Sequence, residues 1–207
     1  AVDSPAWRAD TARVNRILGN LPRNRVEKSD SVLLLIRKAG TLAKACGYKE
    51  GEVTSVFEEG NLRYLQNRYK EALEKFTEAR TLAAQYHLSL PEARCLERIA
   101  SIRMNDDPDL AFKMYLQALL LFEREKDSAG LAKLYNIMGV YQTDRQHFDS
   151  AERYFEAAIR INQRAGNTYY LIENRGNLAR MYREQGEDEK AAAQLHGLVA
   201  ELTGRCD

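Results

Sequence analysis

The chain has 207 residues, 44% of them hydrophobic, with 31 basic against 30 acidic side chains and a formal net charge of +1. That balance removes the concentrated basic footprint that nucleic-acid binding needs. The longest apolar runs, 32–36 and 118–122, fall far below the roughly 20 residues that cross a bilayer.

Residues 1–9 read as frayed, except that Trp7 is expected to pack over the first helix as a cap. A helix over 10–20 is stopped by Pro22, and 23–28 is a charged loop. Asp30 or Ser31 caps the next helix, which runs to about Cys46 and ends at Gly47. Helices follow over 51–67 and 68–86, and Ser89, Leu90 and Pro91 restart the chain with Pro91 in a first turn. The next pair is one residue shorter around 105–109, where Asp107 can cap and Pro108 can take the first helical position. Asp127 or Ser128 opens a fourth pair, and Gly166, Asn167 and Thr168 separate it from a fifth. The last helix, 189–202, carries Ala191, Leu195, Leu198, Val199 and Leu202 on one side and Ala192, Gln194, Ala200 and Glu201 on the other. A terminal helix only half polar on its outer side is expected to be covered, by further chain or by a second copy.

The stretch 131–161 holds the pattern in its clearest form. Small residues (Gly139, Ala151, Ala158) alternate with large ones (Tyr135, Phe148, Phe155), which lets two helices approach closely. Ala151 has equivalents at Val32, Ala72, Ala111 and Ala191, in steps of 39 or 40 residues. Four positions on come Ile36, Phe76, Tyr115, Phe155 and Leu195; three further on come Ala39, Ala79, Ala118, Ala158 and Leu198. In the first helix of the second to fifth pairs the close-approach residue is Gly60, Ala100, Gly139 and Ala179 in turn. One hairpin of this size cannot bury its apolar stripe alone, so copies must stack. The expected fold is all-α: an α-solenoid of about five antiparallel helix pairs, near 10–47, 51–86, 90–125, 128–165 and 168–203, forming one domain over 1–207.

At these residues the chain resembles the tetratricopeptide repeat (TPR) family, in its longer-helix, roughly 40-residue form, and that resemblance implies a right-handed α-solenoid. The match is a small residue in helix A, an aromatic at the turn (Tyr69, Phe148), then alanine, aromatic and alanine in helix B. Residues 51–202 match well, and 10–47 mainly in its second helix. The family's tryptophan early in helix A is absent, and its proline between units is missing at most junctions.

Signals for chemistry are sparse. His87, His147 and His196 are isolated, with no His or Cys at metal-ligand spacing. There is no phosphate loop and no nucleophile elbow, so neither cofactor nor catalysis is expected. Cys46 and Cys95 read as small core fillers, and three distant cysteines with Cys206 do not make a disulfide framework.

The resemblance implies a concave face lined by helix A: Thr54, Phe57, Asn61, Tyr64; Arg94, Glu97, Ser101, Met104; Lys133, Asn136, Val140, Thr143; and Glu173, Gly176, Arg180, Arg183. The +3, +4, +3 spacing puts each set on one helical face. Asn61, Asn136 and Asn177 can hydrogen-bond an extended main chain, while Arg94, Arg98, Lys133, Arg180 and Arg183 can meet carboxylates. The expected partner-binding residues are Phe57, Asn61, Tyr64, Arg94, Arg98, Lys133, Asn136, Asn177 and Arg180, and the expected partner is a protein or peptide segment. The family's lysine–asparagine carboxylate clamp is broken, because the corresponding pair is Phe57 and Asn61.

The opening DTARVN, the junction LAKACGYKEG and the 40-residue period are similar to the TPR sensor regions of bacterial two-component histidine kinases and regulators. That likeness implies a sensor or interaction region, extracytoplasmic, with membrane and output segments elsewhere in a longer protein. A homodimer through the C-terminal helix is the alternative role.

Overall fold

The computed structural model describes residues 4–22 and 25–203, so Cys206 and the start of the expected 23–28 loop lie outside the described residues. Among the described residues there are ten helices and no strand. They are α1 (Pro5–Gly19), α2 (Ser29–Cys46), α3 (Lys49–Leu65), α4 (Tyr69–Gln85), α5 (Ser89–Arg103), α6 (Pro108–Glu125), α7 (Ser128–Asp144), α8 (Phe148–Arg164), α9 (Thr168–Gln185) and α10 (Asp188–Thr203). The chain groups into two compact units, Ala1–Leu121 and Phe122–Asp207.

Two expected helix starts move. The first helix begins at Pro5 rather than at residue 10, because Ser4 accepts from the Trp7 amide at 3.2 Å and Pro5 fits an N-terminal position. Trp7 stands edge-on to Tyr48, with ring centroids 6.2 Å apart, so its contact is with the α2–α3 junction. The second helix begins at Ser29, with Lys28 before it and no side-chain cap; Asp30 sits inside the first turn, where its charge suits the helix dipole. Asp107 and Asp127 do cap as expected, accepting from the amides of Leu110 at 3.0 Å and Gly130 at 3.2 Å.

The repeat is also written in the turns. Left-handed residues stand at Gly47, Asn67, His87, Lys126, Gln146, Gly166 and Gly186, 20 residues apart save for one gap of 39. At each, two backbone bonds close the helix end; at Gln146, its amide bonds to Thr143 O at 2.8 Å and the His147 amide to Gln142 O at 2.9 Å. This is the Schellman arrangement, and it satisfies carbonyls that would otherwise be orphaned. The gap falls at the one-residue deletion, where Asp107 and Pro108 start α6 instead. Four of the seven positions carry a β-carbon in a backbone region that disfavours one. Gln146→Gly is therefore expected to raise stability by about 1 kcal/mol, since the exposed side chain contributes little packing. A chemical-denaturation midpoint that does not rise counts against this.

In the first unit, Val32, Ile36, Ala39, Ala72, Phe76, Ala79, Ala111, Tyr115 and Ala118 are all buried. Phe76 lies over Gly60: a β-carbon there would come within 2.8 Å of the ring. In the second unit Ala151, Phe155 and Ala158 are buried, and a β-carbon on Gly139 would fall 2.6 Å from the Phe155 ring. Phe155 joins Ile159, Leu171, Leu178 and Met181 in a core that Val140 and Phe148 flank. Leu195 departs from the pattern and is 46% exposed. Phe155 has helices on both sides, whereas among the described residues no helix follows α10. Cys46 also departs: it is half-buried at the end of α2, while Cys95 is fully buried and burial pushes its thiol up to about 12.

One pair of amides meets inside the second unit. Asn162 of α8 and Asn174 of α9 are both buried, and the Asn162 amide donates to the Asn174 carbonyl at 2.7 Å.

Candidate functional site

The A helices of each unit carry the expected lining residues. In the first unit α3 packs on α5. Phe57 is half-buried, and its ring meets Phe76 at 5.3 Å, so much of it belongs to the core. Tyr64 meets Tyr69 edge-on at 5.4 Å, and the Arg98 guanidinium lies 6.0 Å from the Tyr64 ring centre. That distance suits a cation–π contact and brings two of the expected residues together across α3 and α5. Asn61 is half-buried and Arg94 exposed. Glu97 is buried rather than exposed on this face. Burial and then the Glu97 charge raise the hydroxyl pKa of Tyr115, which also bonds Ser101.

In the second unit α7 packs on α9. Asn136 is buried and lodged between two α9 side chains. Its amide donates to Glu173 Oε1 at 3.1 Å, and its carbonyl accepts from Asn177 Nδ2 at 2.9 Å. Two expected amides thus meet each other, and a carboxylate strengthens the chain of bonds. Thr143 is buried, and its hydroxyl is satisfied by donating back to Gly139 O at 2.9 Å. Lys133, Glu173, Gly176, Arg180 and Arg183 are exposed. Arg180 and Arg183 line an open notch with Glu184 and Asp188, and Arg180 lies 3.9 Å from Glu184.

The spacing that located the lining residues could not tell which of them neighbours would cover. Glu97, Asn136 and Thr143 share their helical faces with exposed residues, and only the adjacent helix covers them. Tyr169 (73% exposed) and Ile172 (43%) are outside the expected lining set, although both lie on the same stripe of α9 as Gly176, Arg180 and Arg183. The signal was the continuation of that stripe by three and four residues toward the helix start. Among the described residues no group of three or more His, Cys, Asp or Glu side chains could hold a metal ion. No helix among them is long and apolar enough to cross a membrane.

No protein-family model matches the chain, and no curated protein matches it in sequence. Solved structures do. BtubC (BKLC) from P. vanneervenii aligns with TM-score 0.67 at 20% identity, covering 99% of this chain and 95% of that one. TPR-like repeats of a Podosopora anserina putative kinesin light chain align with TM-score 0.62 at 15% identity, covering 97% of both. Aspartyl phosphate phosphatase F from Bacillus subtilis aligns with TM-score 0.67 at 14% identity; 93% of this chain covers 58% of that protein. The fold is therefore a TPR-like α-solenoid, as the repeat predicted.

Proposed function

We propose that the chain is a non-catalytic interaction scaffold that binds a protein or peptide segment on its A-helix faces. The observation that supports this most is the row formed by Asn177, Asn136 and Glu173, bordered by exposed Lys133 and Arg180. Polar side chains already held by one another lose little freedom when a partner main chain binds, which is what preorganisation supplies. Arg98 over Tyr64 is the corresponding feature of the first unit. The likeness to bacterial sensor regions supports a place in a bacterial signalling protein; a reading frame with neither membrane helix nor output domain beside this segment would end that part.

A displayed random-peptide library, selected on the immobilised chain, tests the reading. Selected peptides should lose about tenfold or more in affinity, at least 1.4 kcal/mol, for the variant Asn61→Ala/Arg98→Ala/Asn177→Ala. Leu34→Ala, on the exposed side of α2, should leave them unaffected. No enrichment, or binding that survives the triple change with helicity intact, removes the groove.

A second reading, self-association through α10, has its own support in exposed Leu195 (46%) and Val199 (58%), one turn apart. Leu198 is buried and would test the fold instead. Light scattering should show a dimer that Leu195→Glu/Val199→Glu dissolves; a monomer at high micromolar concentration removes this reading.

A further inference from the structure

Helical glycines in this chain mostly have an internal reason. A β-carbon on Gly51, Gly60, Gly130 or Gly139 would fall within 2.4 to 2.8 Å of a packed ring, and one on Gly40 would meet Ser55 at 3.1 Å. Gly176 has none: it lies in the middle of α9, exposed, and apart from the backbone of its own helix no described residue comes within 4 Å of where its β-carbon would be. A mid-helix glycine costs helix stability relative to alanine. What a missing side chain offers at an open surface is close approach by another backbone.

The surroundings of Gly176 describe what approaches. Tyr169, Ile172, Gly176, Arg180 and Arg183 recur at spacings of three and four, so they form one stripe along α9. Its opposite side, with Leu171, Asn174, Leu178 and Met181, is buried. The start of the stripe is apolar and aromatic, and its end is cationic. The amides Asn177 and Asn136 run beside the middle, joined at 2.9 Å. From Ile172 to Arg180 is eight helical residues, about 12 Å at 1.5 Å per residue. An extended chain covers that distance in about four residues at 3.3 Å each.

We propose that an extended peptide segment runs along α9 with its main chain on Gly176, an apolar side chain on Tyr169 and Ile172, and a carboxylate four residues on at Arg180 and Arg183. This rests on the groove-binding reading and names its ligand: an apolar residue and an acidic residue separated by three others. Glu184 and Asp188 line the same notch. Glu184 is only loosely engaged with Arg180, at 3.9 Å, so an incoming carboxylate can take that guanidinium.

Fluorescence polarisation with labelled ten-residue peptides tests this on the full chain. A peptide with Leu and Glu separated by three residues should bind at least tenfold more tightly than one with Lys for Glu, or one with a single intervening residue. Arg180→Glu/Arg183→Glu should reverse the preference in favour of the Lys peptide. Gly176→Ala is the decisive variant. It should raise the melting temperature by about 2 °C, because alanine favours the helix, and still weaken the Leu–Glu peptide at least tenfold. Unchanged binding by Gly176→Ala overturns the proposal. Binding that Asn61→Ala/Arg98→Ala abolishes and Gly176→Ala spares also overturns it, while leaving the groove reading in place through the first unit. If neither these peptides nor a displayed library binds, both fall.

Discussion

Phe155→Ala should lower the unfolding free energy by about 3 to 5 kcal/mol, the usual cost of removing a fully buried phenylalanine. The ring is wholly inaccessible and lies between α7 and α9, with Gly139 against its edge on one side and the Leu171–Leu178 cluster beyond. The more telling experiment pairs Phe155 with Gly139. Gly139→Ala alone places a methyl about where the ring edge already is, so the expected loss is roughly 1 to 3 kcal/mol from overpacking, reduced by up to about 1 kcal/mol from better helix propensity. With Phe155→Leu the methyl has room, and Gly139→Ala should then become neutral or favourable. The last repeat already pairs Ala179 with Leu195 at these positions, sixteen residues apart as Gly139 and Phe155 are. Urea titration of the four proteins measures the coupling. If the two changes add within about 0.5 kcal/mol, glycine at 139 has no packing role.

Replacing either half of the buried amide pair should cost about 2 kcal/mol, and replacing both should cost less than either. Asn162→Ala leaves the Asn174 carbonyl buried without its donor, and Asn174→Cys strands the Asn162 amide. A buried polar group without a partner carries its full desolvation penalty, roughly 1 to 3 kcal/mol. The double variant places Ala and Cys twelve residues apart, the combination that Ala83 and Cys95 already hold, both buried, in the first unit. It should therefore unfold within about 1 kcal/mol of the native protein. A double variant weaker than both singles would show that the amides do more than satisfy one another.

Both experiments probe the same feature: one 40-residue pattern is filled differently in each copy. That pattern is legible because helices of fixed period must bury a stripe, and because each close approach needs a small residue at a fixed place. Gly60, Gly139, Phe76 and Phe155 could be assigned in advance for this reason. So could the stops at Gly47 and Gly166, where a left-handed residue ends the helix. Asn67, His87, Lys126 and Gln146 take the same backbone state without being glycine; asparagine and histidine favour it only weakly, and no residue preference announces Lys126 or Gln146. The 20-residue spacing does, but it emerges only when the turns are seen.

The exposed faces of the A helices were harder to read, for a physical reason. A helical period says which side chains share a face, and composition says they are polar. Whether Asn136 faces a partner or its own neighbours depends on where α9 lies, and that depends on every turn and contact between them. Glu97 was covered, Leu195 was left open, and Gly176 stayed without a neighbour by the same rule: exposure is a property of two elements, while sequence periodicity describes one. The repeat length, the helix pairs and the small–large packing code were therefore determined by the sequence alone. The joining of Asn136 to Glu173 and Asn177, and the bare stripe from Tyr169 to Arg183, were decided only when the helices packed.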